Sequence, residues 1–155
     1  MNSAYQLAQI NITRMKFPLD DPRMADFVAA LDEVNALADR SPGFIWRLQS
    51  PAGNSTAIRA FDDPLMLVNI SVWENMALLK EYTYKGMHGR IFAHRQTWFD
   101  KIDGVQLAAW WAPRGTIPTI EDGKARLNTL ALLGETTDAF TFKNPFPAPD
   151  VARVS

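Results

Sequence analysis

With 155 residues, 16 Lys and Arg against 17 Asp and Glu, and a formal net charge of -1, the chain is sized for one domain and carries no electrostatic footprint for nucleic acid. The absence of cysteine excludes disulfides, thiolate metal sites and a cysteine nucleophile, and leaves His88 and His94 as the two imidazoles. No stretch approaches the roughly 20 apolar residues that span a bilayer, and Met1 to Gln9 has no charged leader, so a soluble cytoplasmic protein is expected.

Tyr5 to Ile12 alternates, with Tyr5, Leu7, Gln9 and Asn11 on one face, and reads as a strand whose first face ends polar. Asp21 and Pro22 look like an N-cap and first helical position. Met24, Phe27, Val28, Leu31, Val34, Leu37 and Ala38 then continue a helical stripe that stops at Ser41, Pro42 and Gly43. A second strand, Phe44 to Gln49, puts Phe44, Trp46 and Leu48 on one face and Ile45 and Arg47 on the other. The third, Met66 to Trp73, has an apolar face of Met66, Val68, Ile70 and Val72 and an opposite face of Leu67, Asn69, Ser71 and Trp73 that suits a wet cavity or solvent.

Asn75 can cap a short helix through Tyr82. A break at Thr83 to Gly86 is expected before a longer helix that carries His88 and Arg95 to about Phe99. Gly104 opens a fourth strand, Val105 to Trp111, and Thr119 with Asp122 starts a last helix that Gly134 ends. Strand, helix, strand, strand, helix, strand is the α+β, ferredoxin-like βαββαβ order, here with an extra C-terminal helix. One domain over 1–155 is expected, with 139–155 as an irregular arm. Helices on one face leave the other bare, so a homodimer in which two sheets meet, through Trp46 or Trp111, is the expected completion.

Arg95 falls on the apolar stripe Tyr84, His88, Ile91, Arg95 and Trp98. A guanidinium aimed at a core is costly unless an anion or a cavity receives it, and it cannot shed its proton. Two receivers stand open: an ion pair to Glu74 or Asp103, or a ligand cavity. In the cavity reading, Arg95 holds a negative oxygen, Tyr84 donates to the same oxygen, and neutral His88, roughly 10 Å away along the axis, moves a proton. Trp73, Asn69, Ser71, Ile91, Trp98 and Asn11 are the candidate substrate-binding residues. His94 lies off the stripe, and no clustered carboxylates accompany the two histidines, so no metal site is expected.

Leu7-Ala8-Gln9 with Asn11, Asn35 to Ala38 running into Ser41 to Leu48, Asn69 to Glu74, Tyr84 to His88, Arg95 to Phe99, Trp110 to Pro113 and Ala139 to Phe142 together resemble the bacterial family catalogued as domain of unknown function 3291, within the dimeric α+β barrel superfamily. The resemblance implies a dimer with a ligand pocket between sheet and helices. Superfamily members include cofactor-independent monooxygenases of aromatic polyketides, small isomerases and lyases, polyketide cyclases, haem enzymes and stress proteins, and fold alone does not choose among them. The expected function is cofactor-independent proton-transfer chemistry on an aromatic or polyketide-like molecule, of monooxygenase, cyclase or isomerase type. The alternatives are a non-catalytic small-molecule-binding or stress protein, and a haem protein with His88 as axial ligand, although no haem signature is present.

Overall fold

The computed structural model describes residues 4–49, 59–87 and 95–149, with the backbone alone for 85–87. Its elements are β1 (Tyr5–Met15), a 3-10 turn (Pro22–Met24), α1 (Ala25–Asp39), β2 (Phe44–Arg47), β3 (Met66–Trp73), α2 (Met76–Met87), α3 (Arg95–Trp98), β4 (Phe99–Asp100), β5 (Leu107–Pro113) and α4 (Ile120–Leu133). The sheet runs β2-β3-β1-β5 with every neighbouring pair antiparallel, and β4 pairs the last two residues of β1. A first and second strand separated by the third is the split arrangement of the ferredoxin-like fold, so the α+β expectation holds. Among the described residues no helix is long and apolar enough to cross a membrane.

Strand alternation sends successive side chains to opposite faces, and the two faces are built differently. On one, Ala8, Ile10, Ile12, Val68, Ile70, Val72, Ala108, Trp110 and Ala112 form a continuous core with Leu127 and Leu130 of α4. Gly123 lets α4 lie close: a Cβ there would come within 2.6 Å of Ile10 Cδ1. Thr119 and Asp122 close a reciprocal capping box at the start of this helix. On this face α4 packs on β5 and β1.

On the other face two apolar clusters stand apart. One gathers Leu7, Trp73 and Ala109 with Ala38 of α1, Met76 and Leu79 of α2, and Phe140 of the C-terminal arm. The second gathers Met15, Met24, Phe27, Ala30 and Trp98. Helix α1 spans both, buried at Phe27 and Ala30 near one end and at Ala38 near the other, and half-buried at Leu31 and Val34 between them. The arm is held by an isolated antiparallel bridge: Ala109 and Phe140 exchange backbone hydrogen bonds of 2.8 and 2.9 Å. It is held further by the Glu135 carboxylate, which accepts from Thr141 and Asn144.

Three expectations are corrected. Helix α2 does not break at Thr83 to Gly86; it runs to Met87, and the Thr83 hydroxyl donates back to Leu79 O at 2.8 Å. The fourth strand spans Leu107–Pro113, two residues later at each end than expected, although Ile12 N still donates to Gln106 O at 2.9 Å just ahead of it. In β2 a bulge between Phe44 and Trp46 resets the alternation. Phe44 then lies opposite Trp73 and Arg47 opposite Ser71, so Phe44 and Arg47 share the helix-covered face and Trp46 takes the other. The turn before β2 needs Gly43, which has φ +82° and sits where a Cβ would collide with Leu78.

Candidate functional site

Between the two apolar clusters the helix-covered face of the sheet is polar. Register sets Gln9 opposite Ser71 and Asn11 opposite Asn69, with Arg47 beyond Ser71 on β2 and Ala109 beyond Gln9 on β5. Leu7 and Trp73 close one end of this band, and Met15 and Leu67 the other. Four neutral polar side chains thus occupy the middle of a face whose ends are dry.

Their groups are tied together. Gln9 Nε2 donates to Ser71 Oγ at 2.7 Å and to Asn69 Oδ1 at 2.9 Å, and Gln9 Oε1 accepts from Asn11 Nδ2 at 3.1 Å. The Trp73 indole N–H donates to Ser71 Oγ at 2.9 Å. Gln9 and Ser71 are only 4% and 6% exposed, which an unpaired amide or hydroxyl would make costly. Asn11, Thr13 and Asn69 are half-buried, so the band runs from a buried bottom to an accessible rim.

Beside Ser71 stands a buried cation. Arg47 is 8% exposed and binds Asp39, at the C-terminal end of α1, through Nε at 2.8 Å and Nη2 at 3.2 Å. This two-point geometry neutralises the guanidinium and fastens α1 to the sheet edge. Trp73 is fully buried, stacked on Tyr82 at 4.8 Å and edge-on to Phe44 at 5.4 Å. Burial pushes the Tyr82 phenol up to about 12, with Arg47 opposing that rise and Asp39 adding to it. Its hydroxyl donates to Val34 O at 3.3 Å, so α1, α2 and β2 meet behind the band.

Of the candidate residues, Asn11, Asn69 and Ser71 come together in this network. Trp73 joins it from behind, with its N–H spent on Ser71 and its ring enclosed, so no ring face is left for a ligand. Trp98 is buried in the cluster at the far end, against Phe27 at 5.6 Å. His88 and Ile91, and with His88 the haem-ligand alternative, lie outside the described residues, as does His94. Arg95 opens α3 and is exposed, and Tyr84 is 61% exposed.

Tyr84 and Arg95, expected on an inward stripe, are thus both exposed, whereas Trp98 of that stripe is buried. The described residues of α3, Arg95–Trp98, bury Trp98 and lead at once into β4. Glu74, one expected partner of Arg95, is bound by Arg114 at 2.8 Å, which holds its carboxyl below the usual range. The buried guanidinium of this face is Arg47 instead.

Two site residues were missed. Gln9 was legible, since it alternates with Asn11 on one strand face; alternation put Arg47 opposite Trp46, where it lies, but its place beside Ser71 and its pairing with Asp39 depend on strand register and tertiary packing. Among the described residues no group of three or more His, Asp or Glu side chains could hold a metal ion.

Comparison with known proteins adds a family. No curated protein matches the chain. Two solved structures resemble it remotely. An unknown-function protein of Nitrosomonas europaea, NE2512, is 11% identical over 75% of this chain and 95% of its own, with a TM-score of 0.45. SnoaB, a cofactor-independent oxygenase from Streptomyces nogalater, is 16% identical over 75% of this chain and 100% of its own, with a TM-score of 0.43. The family model described as Domain of unknown function (DUF3291) matches residues 6–155, and the chain belongs to that family.

Proposed function

We propose that the protein binds a small, mostly apolar molecule over the band of Gln9, Asn11, Asn69 and Ser71, and transforms it by proton transfer without a metal or organic cofactor. The observation that carries this reading is the band itself: a connected set of polar side chains at the centre of a helix-covered face, with an apolar cluster at each end. The centre of the opposite face is apolar, and its buried Gln6 is spent on main chain, so a connected set of side-chain amides is not what packing alone requires. Small-molecule sites have this composition, mainly apolar walls with a few polar groups that fix orientation.

The described band holds no side chain that exchanges a proton near neutral pH. Its amides and hydroxyl can orient a carbonyl and support charge developing on its oxygen. In our reading His88, immediately after α2, takes or returns the proton, and Tyr84 and Arg95 act from the solvent side of the ligand. Removal of a proton from carbon next to that carbonyl gives an enolate, the common first step of isomerisation, cyclisation and reaction with oxygen.

A second reading, binding without turnover, is favoured by the non-titrating character of the band. Native mass spectrometry of the purified protein, followed by assay of whatever small molecule co-purifies, separates the two. Turnover that disappears in His88→Ala, with the ligand still bound, is the expected result. Unchanged turnover in that variant sinks the proton-transfer role, and a bound molecule that is never altered leaves the binding protein.

A further inference from the structure

The hydrogen-bond sense of the band restricts the head group it can hold. The Gln9 amide has one C=O end and one NH2 end, and both are spent within the network: Nε2 on Asn69 Oδ1 and Ser71 Oγ, Oε1 on Asn11 Nδ2. Asn69 therefore keeps its oxygen inward and has its NH2 left over, whereas Asn11 keeps its NH2 inward and has its oxygen left over. Turning all three amides over together would exchange the two roles and still leave one donor and one acceptor. The opposition comes from Gln9, whose two ends are unlike.

Asn11 and Asn69 are directly opposite in register and half-buried. Neither left-over end has a further partner among the described residues. Charge complements this picture. The buried guanidinium on this face, Arg47, already faces the Asp39 carboxylate and brings no net positive charge to the band.

Resting on the small-molecule reading above, we infer that the site takes a neutral head group with a hydrogen-bond acceptor and donor side by side, the pattern of a carboxamide or lactam, on an aromatic or otherwise apolar body. A carboxylate offers two acceptors, so one of its oxygens would meet the left-over Asn carbonyl in a partly desolvated place, where repulsion is strong. A ketone satisfies the donor and leaves that carbonyl unmet.

Isothermal titration of the full chain with 2-naphthamide, 2-naphthoate and 2-acetylnaphthalene tests the inference, since the three share one apolar body. The amide is expected to bind at least about tenfold more tightly than the carboxylate, and several-fold more tightly than the ketone. Asn11→Leu should lower amide affinity to that of the ketone and leave the ketone unchanged. Asn69→Leu should weaken both, and thermal melts of the two variants check that each remains folded. Carboxylate binding equal to or tighter than that of the amide overturns the head-group inference alone, as does an amide preference that survives both substitutions. Failure of all three probes to bind takes the small-molecule reading down with it.

Discussion

Two glutamines three residues apart on β1 are almost equally buried and do opposite work. Gln6 is spent on main chain, its Nε2 donating to Thr116 O at 2.6 Å and its Oε1 accepting from Gly115 N at 3.3 Å, so it ties down the turn after β5. Gln9 is spent on side chains, two asparagines and a serine, each with polar capacity left over. The two faces of the sheet repeat the contrast. The α4 face is apolar at its centre, with Ala8, Ile10, Val68, Ile70 and Ala108, and carries Gln6 at its end, whereas the α1 and α2 face is dry at its ends and polar at its centre. A buried polar group bonded to backbone is explained by folding alone, but a cluster of side chains that satisfy one another with groups to spare asks for a further partner.

Neighbouring residues on β3 separate the faces most sharply. Ile70 points under α4 and is fully buried, so Ile70→Ala removes apolar volume from a closed core and should cost about 2–5 kcal/mol in urea unfolding. Probe affinity of the folded variant should not change. A loss of affinity there would mean that the two faces are coupled and that the division of labour is wrong.

Ser71→Ala, one residue on, should show the reverse balance. It strips the shared acceptor from the Gln9 amide and the Trp73 indole, leaving buried donors unmet at a cost of about 1–3 kcal/mol. Binding of 2-naphthamide should fall with it, because Gln9 is no longer held in one orientation. Unaltered affinity together with lowered stability would reduce Ser71 to a structural residue.

How much of this was legible in the chain follows from what each signal depends on. Strand alternation put Asn69 with Ser71 on one face of β3 and Asn11 with Gln9 on one face of β1, since period two is a local property, whereas the meeting of the two faces depends on strand register. Capping at Thr119 and Asp122 and the stop at Gly134 were equally local, and the helix they bound is present. Arg95 is exposed where the stripe expected it to turn inward, and Trp98, three residues on, is the buried residue of this described stretch; residues 88–94 lie outside the described residues. Phe44 was put with Trp46 because a single bulge between them breaks the plain alternation. Covering of the second face by α4 is a tertiary fact that an extra helix in the sequence permits without dictating.

The smallest expected effect concerns Tyr82, which stands behind the band and contacts Trp73. Its phenol is held near 12 in the folded chain, above the ordinary 10.0, chiefly by burial. Below about pH 10 both folded and unfolded chains keep the proton, and this group adds no pH dependence. Between about 10 and 12 the unfolded chain releases it first, so the native state holds more protons and stability falls as pH rises. At pH 11 the loss should be about 1 kcal/mol, and Tyr82→Phe should remove that part of the alkaline decline while sacrificing only the bond to Val34 O. Absorbance titration near 295 nm supplies the independent reading, in which a late-ionising component should be lost in Tyr82→Phe. Because Tyr82 stacks on the ring that donates to Ser71, weakened naphthamide binding above pH 10 that Tyr82→Phe abolishes would tie this outer layer to the site. Binding indifferent to both would confine it to holding α1 and α2 together.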